Sequence, residues 1–255
     1  MSLYEQLRTA QDLTFGFSVI TGLVKENWDK EHPGMVKVEY FLGTKGKNVS
    51  GWVPVAMPYA FKDAGSYFLP EIGTVVLLAF EMGNSNCPVV IGSLWNQKNT
   101  IPQETANEKN TIKRVKTKGG SEVIFNDEDG KESIEIHTKK GLKIKLDDEQ
   151  EELLVIDKES KNGVDIKMKD GTVQVLADKK LIFSVGGKDA LILDGSGGKA
   201  TLKMDQVQVE AGNSLQMKGG STKLEGTSLE LKGKSSTKLA SDAITSIDGK
   251  MVKIC

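Results

Sequence analysis

From Ser121 onward the chain is written in short alternating runs. Ile134-Glu135-Ile136, Leu142-Lys143-Ile144-Lys145-Leu146, Val164-Asp165-Ile166-Lys167-Met168, Val173-Gln174-Val175 and Leu229-Glu230-Leu231 all alternate apolar and polar positions. Period two marks a strand with one buried face. Gly, Asn, Asp or Ser separates nearly every pair of runs, and the first apolar residue returns about every eight residues. This predicts a β repeat array from 121 to 255. Upstream, β segments are expected at Phe17–Trp28, Met35–Leu42, Gly51–Met57, Thr74–Phe80 and Pro88–Leu94, punctuated by glycines. Five strands with no strong helix between them suit a small closed barrel, and the OB-fold is the natural candidate.

Repeats of this length are too short for one chain to close a solenoid, whose coils take roughly twenty residues or more. Each segment offers two or three inward side chains. Three chains around one axis can enclose a core, each supplying one wall of a triangular prism. The pattern therefore predicts a homotrimer. Ile134, Ile136, Ile144, Ile166, Met168, Val173, Val175, Leu229 and Leu231 are its expected core, while Asp165 and Lys167 are expected to face solvent. The same spacing also suits an ordinary antiparallel meander, which is the alternative at this point.

Composition shifts near residue 102. All 6 prolines, all 3 tryptophans and all 4 tyrosines lie at or before it. A proline-free stretch suits an array in which almost every N–H enters a ladder. The expected organisation is an N-terminal arm (1–14), an OB-fold domain (15–102), a linker (103–120) and a β spike (121–255). Pro70-Glu71-Ile72-Gly73 reads as a turn with Gly73 at positive φ. Phe80 to Asn86 reads as a strand entering a tight hairpin turn.

Gly34-Met35-Val36-Lys37-Val38, Trp52-Val53-Pro54-Val55-Ala56, the run from Gly65 to Val76, and Cys87-Pro88-Val89-Val90-Ile91-Gly92-Ser93-Leu94-Trp95-Asn96 carry a resemblance. In order and spacing they resemble the OB domain of the phage baseplate assembly protein V and VgrG spike family. Glu122 to Asp127, Gly130 and Glu132 to His137 resemble the segment that opens the β-helix of these proteins, and Gly249 to Ile254 resembles its end. The resemblance implies an all-β protein: an N-terminal five-stranded OB-fold barrel followed by an intertwined trimeric triple-stranded β-helix. It implies a structural spike in a contractile injection machine, incorporated at the baseplate of a tail or tail-like particle. Family members fused to a hub carry a large N-terminal portion; with residues 1–14 before the barrel, a separate tail-hub protein is expected. Met251, Val252, Lys253 and Ile254 are expected to dock a PAAR-like tip protein, and an effector is a further expected cargo. The stretch 103–120 is too short for the lysozyme that some phage members carry there, and no effector domain is expected after Cys255.

Charge and chemistry narrow the reading further. Formal net charge is -1, so bulk electrostatics does not favour nucleic acid or an anionic membrane. The N-terminus has no basic segment leading into an apolar core, so synthesis in the cytoplasm without a Sec-type signal is expected. Cys87 and Cys255 offer neither metal spacing nor a disulfide framework. His32 and His137 have no Ser or Cys partner nearby in sequence, and no catalytic residues, cofactor or metal are expected. Asp127, Glu128, Asp129 and Glu132 match only a fragment of a calcium loop. Asp147 to Glu152 reads as a solvated charge run. Two other functions stay open: a tail-associated cell-wall or glycan hydrolase, which needs paired carboxylates, and a single-strand binder using aromatics such as Trp28, Tyr40, Trp52, Tyr59, Tyr67 and Trp95.

Overall fold

The computed structural model describes residues 19–41, 48–84 and 86–253. Arm residues 1–14, Phe17, Ile254 and Cys255 lie outside them. The chain is all-β. Its first strands are β1 (Ile20–Glu26), β2 (Met35–Tyr40), β3 (Val53–Pro54), β4 (Ala60–Phe61), β5 (Ala64–Gly65), β6 (Val75–Phe80) and β7 (Pro88–Leu94). Strands β3-β2-β1-β6-β7 form one curled sheet in that order. Its two edges meet through a parallel bridge between Val55 and Val90, and the Ala56 N–H donates to the Val90 carbonyl at 2.8 Å. A sheet curled until its ends touch is the OB architecture.

Alternation explains the barrel core. Val24, Val36, Val38, Val53, Val76, Leu78 and Val90 are fully buried, and Ile20, Tyr40, Val55 and Leu69 pack against them. Bulges between Val24 and Glu26 and between Leu77 and Leu78 sharpen the curl. Gly73 takes φ 88°, as its turn requires, and a short 3-10 turn over Glu81–Gly83 joins β6 to β7. The aromatic residues divide differently from the core. Trp28, Tyr59, Tyr67 and Trp95 are exposed, so they do not fill the barrel.

Next come β8 (Ile112–Lys116), β9 (Glu122–Asn126), β10 (Ser133–His137), β11 (Lys143–Asp147), β12 (Glu152–Ile156), β13 (Gly163–Lys167) and β14 (Thr172–Leu176). They make a seven-stranded antiparallel sheet in which each strand pairs with its sequence neighbour. Strand β8 lies inside the stretch read as a linker. Its Arg114 and Val115 alternate faces opposite Ile124 and Val123, so its pairing with β9 is as regular as that of any later pair. The ladders here close within one chain. Alternation encodes which face is apolar; it does not encode whose strand lies alongside.

Strands β15 (Lys180–Val185), β16 (Lys188–Asp194) and β17 (Lys199–Leu202) form a three-stranded sheet. The chain divides into two units, Met1–Ile182 with Ile192–Ala200, and Phe183–Leu191 with Thr201–Cys255. The barrel and the seven-stranded sheet both belong to the first. In the second, residues 203–253 carry no strand pairing among the described residues, and all are exposed. Bends fall at Gly212-Asn213, Gly220-Ser221, Thr227-Ser228, Lys234-Ser235 and Asp242-Ala243, close to the octad spacing of the sequence.

Candidate assembly surface

The register of the seven-stranded sheet sorts its residues onto two faces. Val123, Ile136, Ile144, Val155, Val164 and Val175 are joined strand to strand, and so are Phe125, Ile134, Leu146, Leu153, Ile166 and Val173. Both rows share one face, because positions two apart on a strand point the same way. That face is apolar across six consecutive strands. Ile136, Leu146, Val155 and Val175 on it stay 45%, 42%, 40% and 47% exposed. Each such side chain gains roughly 1 kcal/mol by completing its burial. Monomeric proteins rarely leave an apolar patch this continuous open to water.

The expected core residues can now be placed. Ile134, Ile136, Ile144, Ile166, Val173 and Val175 all lie on this face. Met168 follows β13 at the position that continues its alternation and is exposed. Leu229 and Leu231 sit in the unpaired stretch and are exposed, as are Met251, Val252 and Lys253. Backbone N–H and C=O groups in an unpaired alternating stretch are open to strand addition.

The opposite face mixes charged pairs with Ile124, Leu154, Ile156 and Leu176. Lys145 Nζ lies 2.6 Å from Asp147 and 3.9 Å from Glu135, and Lys143 reaches Glu135 at 3.6 Å. The Lys145 hydrogen bond holds the Asp147 carboxyl below the usual carboxylate range, helped by the Gln150 N–H. The same bond raises Lys145. So Asp147 belongs to the sheet, and only Asp148 to Glu151 form the turn of the expected charge run. Asp165 also departs from expectation. It is 9% exposed, with Lys167 Nζ at 3.4 Å and one carboxylate oxygen lacking a hydrogen bond. It stands on a central strand between Leu154 and Gln174 of the flanking strands, which shield a side chain this short.

A second buried carboxylate on this sheet is not legible in the sequence. Glu122 is 8% exposed. Lys116 Nζ lies 3.1 Å from it, Arg114 Nε 3.1 Å, and His137 Nε2 3.4 Å. The signal was present in sequence as Arg114 and Lys116 two apart, but only the three-strand register brings His137 opposite Glu122. His137 is therefore a structural neighbour of a carboxylate. His32 stacks on Trp52 with ring centroids 5.6 Å apart, and its Nδ1–H donates to the Asp29 carboxylate at 2.8 Å. That bond is the main reason the Asp29 carboxyl sits below its usual range. In the acidic turn, Asn126 accepts from the Glu128 N–H, and Lys131 pairs with Glu128. Among the described residues no cluster of three or more metal-ligating side chains forms, and no helix is long and apolar enough to cross a membrane.

Comparison with known proteins bears on the barrel first. Residues 20–95 match the family described as the type VI secretion system/phage-baseplate injector OB domain. The chain is similar to the type VI secretion system spike protein VgrG5 of Pseudomonas aeruginosa, 31% identical over 131 residues, covering 48% of this chain and 17% of that protein. It is similar to spike protein VgrG3 of Vibrio cholerae, 31% identical over 114 residues, covering 42% and 11%. It also resembles the actin cross-linking toxin VgrG1 of Vibrio cholerae, 31% identical over 117 residues, covering 43% and 11%. The matches span about half of this chain and less than a fifth of each relative.

Proposed function

We propose that this chain, which is similar to VgrG spike proteins, is the central spike of a contractile injection particle, acting mechanically and without catalysis. The observation that carries this reading is the apolar face of the seven-stranded sheet. It is too large to stay wet, and its regular register offers the same rows to a second and a third copy. Three such sheets, face inward, make a triangular shaft with charges outside. After Leu202 the construction changes. Residues 203–253 alternate like strands but have no ladder of their own, so we assign their partners to the neighbouring chains, which intertwine there. Leu229 and Leu231 then join the core.

In this reading the barrel end meets a hub trimer and the other end points to the target envelope. Met251, Val252, Lys253 and Ile254 dock a PAAR-like tip, covering strand ends that would otherwise stay unpaired. Contraction of a surrounding sheath drives the shaft forward, and the membrane is contacted only by force. The relatives named as spike proteins support the structural role; the relative named as a toxin keeps an effector cargo in view. Light scattering on the purified chain tests the reading. A threefold mass is expected. A monodisperse monomer with a strand-rich spectrum would overturn it, because the apolar face would then have no occupant.

A further inference from the structure

We propose that Arg114 and Glu122 clamp the segment between barrel and sheet, so that the two move as one load-bearing body. The segment from Asn96 to Thr111 leaves the barrel and runs to β8. The alternating pattern breaks there, and sequence alone reads most of it as a linker. The structure gives it anchors at both ends. On the barrel side, Asn99 Nδ2 donates to the Gly73 carbonyl at 2.9 Å, while the Asn96 side chain accepts from the Lys98 and Asn99 N–H groups. On the sheet side, Arg114 Nη1 donates to the Gln103 carbonyl at 2.8 Å and lies 3.2 Å from Thr105 Oγ1. Asn107 accepts from the Thr111 N–H at 3.2 Å, and the Thr111 carbonyl accepts from Asp127 N–H at 2.9 Å.

Arg114 can grip the segment because it is held from behind. Its side chain is 11% exposed and its Nε lies 3.1 Å from Oε2 of the buried Glu122, an ion pair in which neither of these two atoms makes a hydrogen bond. Glu122 is fixed in turn by Lys116 and His137 from the strands on either side. A guanidinium can use one edge on the carboxylate and the other on the strap, and a lysine ammonium cannot do both. The chain of contacts thus runs from β10 through β9 and β8 into the strap, and from the strap into the barrel. A second, outer link joins Lys118 in the β8–β9 turn to Glu71 of the barrel at 3.0 Å, but both partners are largely exposed and the pair is weak. A free linker would let the barrel tilt under axial load; a clamped one passes the load to the sheet. The mechanical meaning rests on the spike reading, whereas the clamp itself is a property of this chain.

Hydrogen–deuterium exchange on the full-length protein tests it. In the unaltered protein, peptides covering 103–111 should exchange at least about tenfold more slowly than an unstructured peptide. Arg114→Lys keeps a cation beside Glu122 but gives up the strap, so exchange over 103–111 should rise about tenfold while peptides over 20–40 and 133–147 hold steady. If Arg114→Lys fails to fold, Thr105→Val, which removes one strap acceptor and leaves the buried pair intact, should loosen the same peptide by a smaller factor. A strap that exchanges freely in the unaltered protein, or one indifferent to the variant that folds, overturns the clamp. Light scattering on the same samples reports the trimer separately, so the two ideas fail independently.

Discussion

At Gly22 the barrel has no room for one more carbon. A Cβ there would stand 2.3 Å from Val38 Cγ1 and 3.0 Å from the Glu39 carbonyl. Gly22→Ala should therefore cost about 1–3 kcal/mol through overpacking, read as a lower urea midpoint for the barrel; an unchanged midpoint would mean the sheet yields freely there. On the seven-stranded sheet, Ile166→Asp puts a charge on the apolar face and should abolish the proposed trimer, read as loss of the threefold mass in light scattering, since three such charges would meet unpaired. Sequence alone makes Lys167→Asp look silent. The burial of Asp165 beside it reverses that expectation: the variant removes the cation at 3.4 Å and adds a like charge. It should lower the melting temperature, and a melting curve matching the parent would show that Asp165 is held by other groups. The Asp147–Lys145 pair adds a pH dependence. A depressed carboxyl contributes stability above its ordinary pKa, about 3.9, and loses it as pH falls through the folded value. A raised lysine contributes below about 10.4 and loses it as pH rises through its own folded value. The melting-temperature gap between the native protein and Lys145→Met should be full near neutrality and shrink at both extremes; a gap constant from acid to alkali would remove the pair as its cause.

Elements were legible to different depths. The alternation around Ile134, Ile144 and Val173 located strands and their apolar side because it is a local property of the chain. The barrel strands were legible too, Pro88–Leu94 to the residue and Thr74–Phe80 to within one. Partnership was not legible. Nothing in Val164-Asp165-Ile166 says that Leu153 of the same chain lies opposite Ile166, so a self-paired meander and an intertwined helix share one sequence signature. Burial on the charged face was hidden for a related reason. Asp165 and Glu122 depend on what stands on the two flanking strands, which is a matter of register. The change of construction after Leu202 makes a testable division. Removing Lys203–Cys255 should leave the ladders of β9 to β14 intact, with unchanged amide protection over 122–176. Collapse of that protection would mean the meander borrows its stability from residues 203–255.

For the whole molecule, the proposed docking end gives a separable outcome. Deleting Gly249–Cys255 should leave the proposed trimer whole, because the preceding segments would hold it, yet abolish co-purification with a tip protein. A truncated spike that still captures its tip would leave these residues as mere termination. The meander also carries a consequence for how such a shaft changes size. Neighbouring strands stand about 4.8 Å apart, so six intervals make the seven-stranded wall a ruler of about 29 Å along its hydrogen bonds. Successive strands run in opposite directions. Loss of one strand would deliver the chain to the wrong edge of its wall, whereas loss or gain of a hairpin preserves its exit. Length is therefore quantised in even steps of about 9.6 Å. A gene duplicating one hairpin would lengthen its spike by that increment without touching the barrel or the tip.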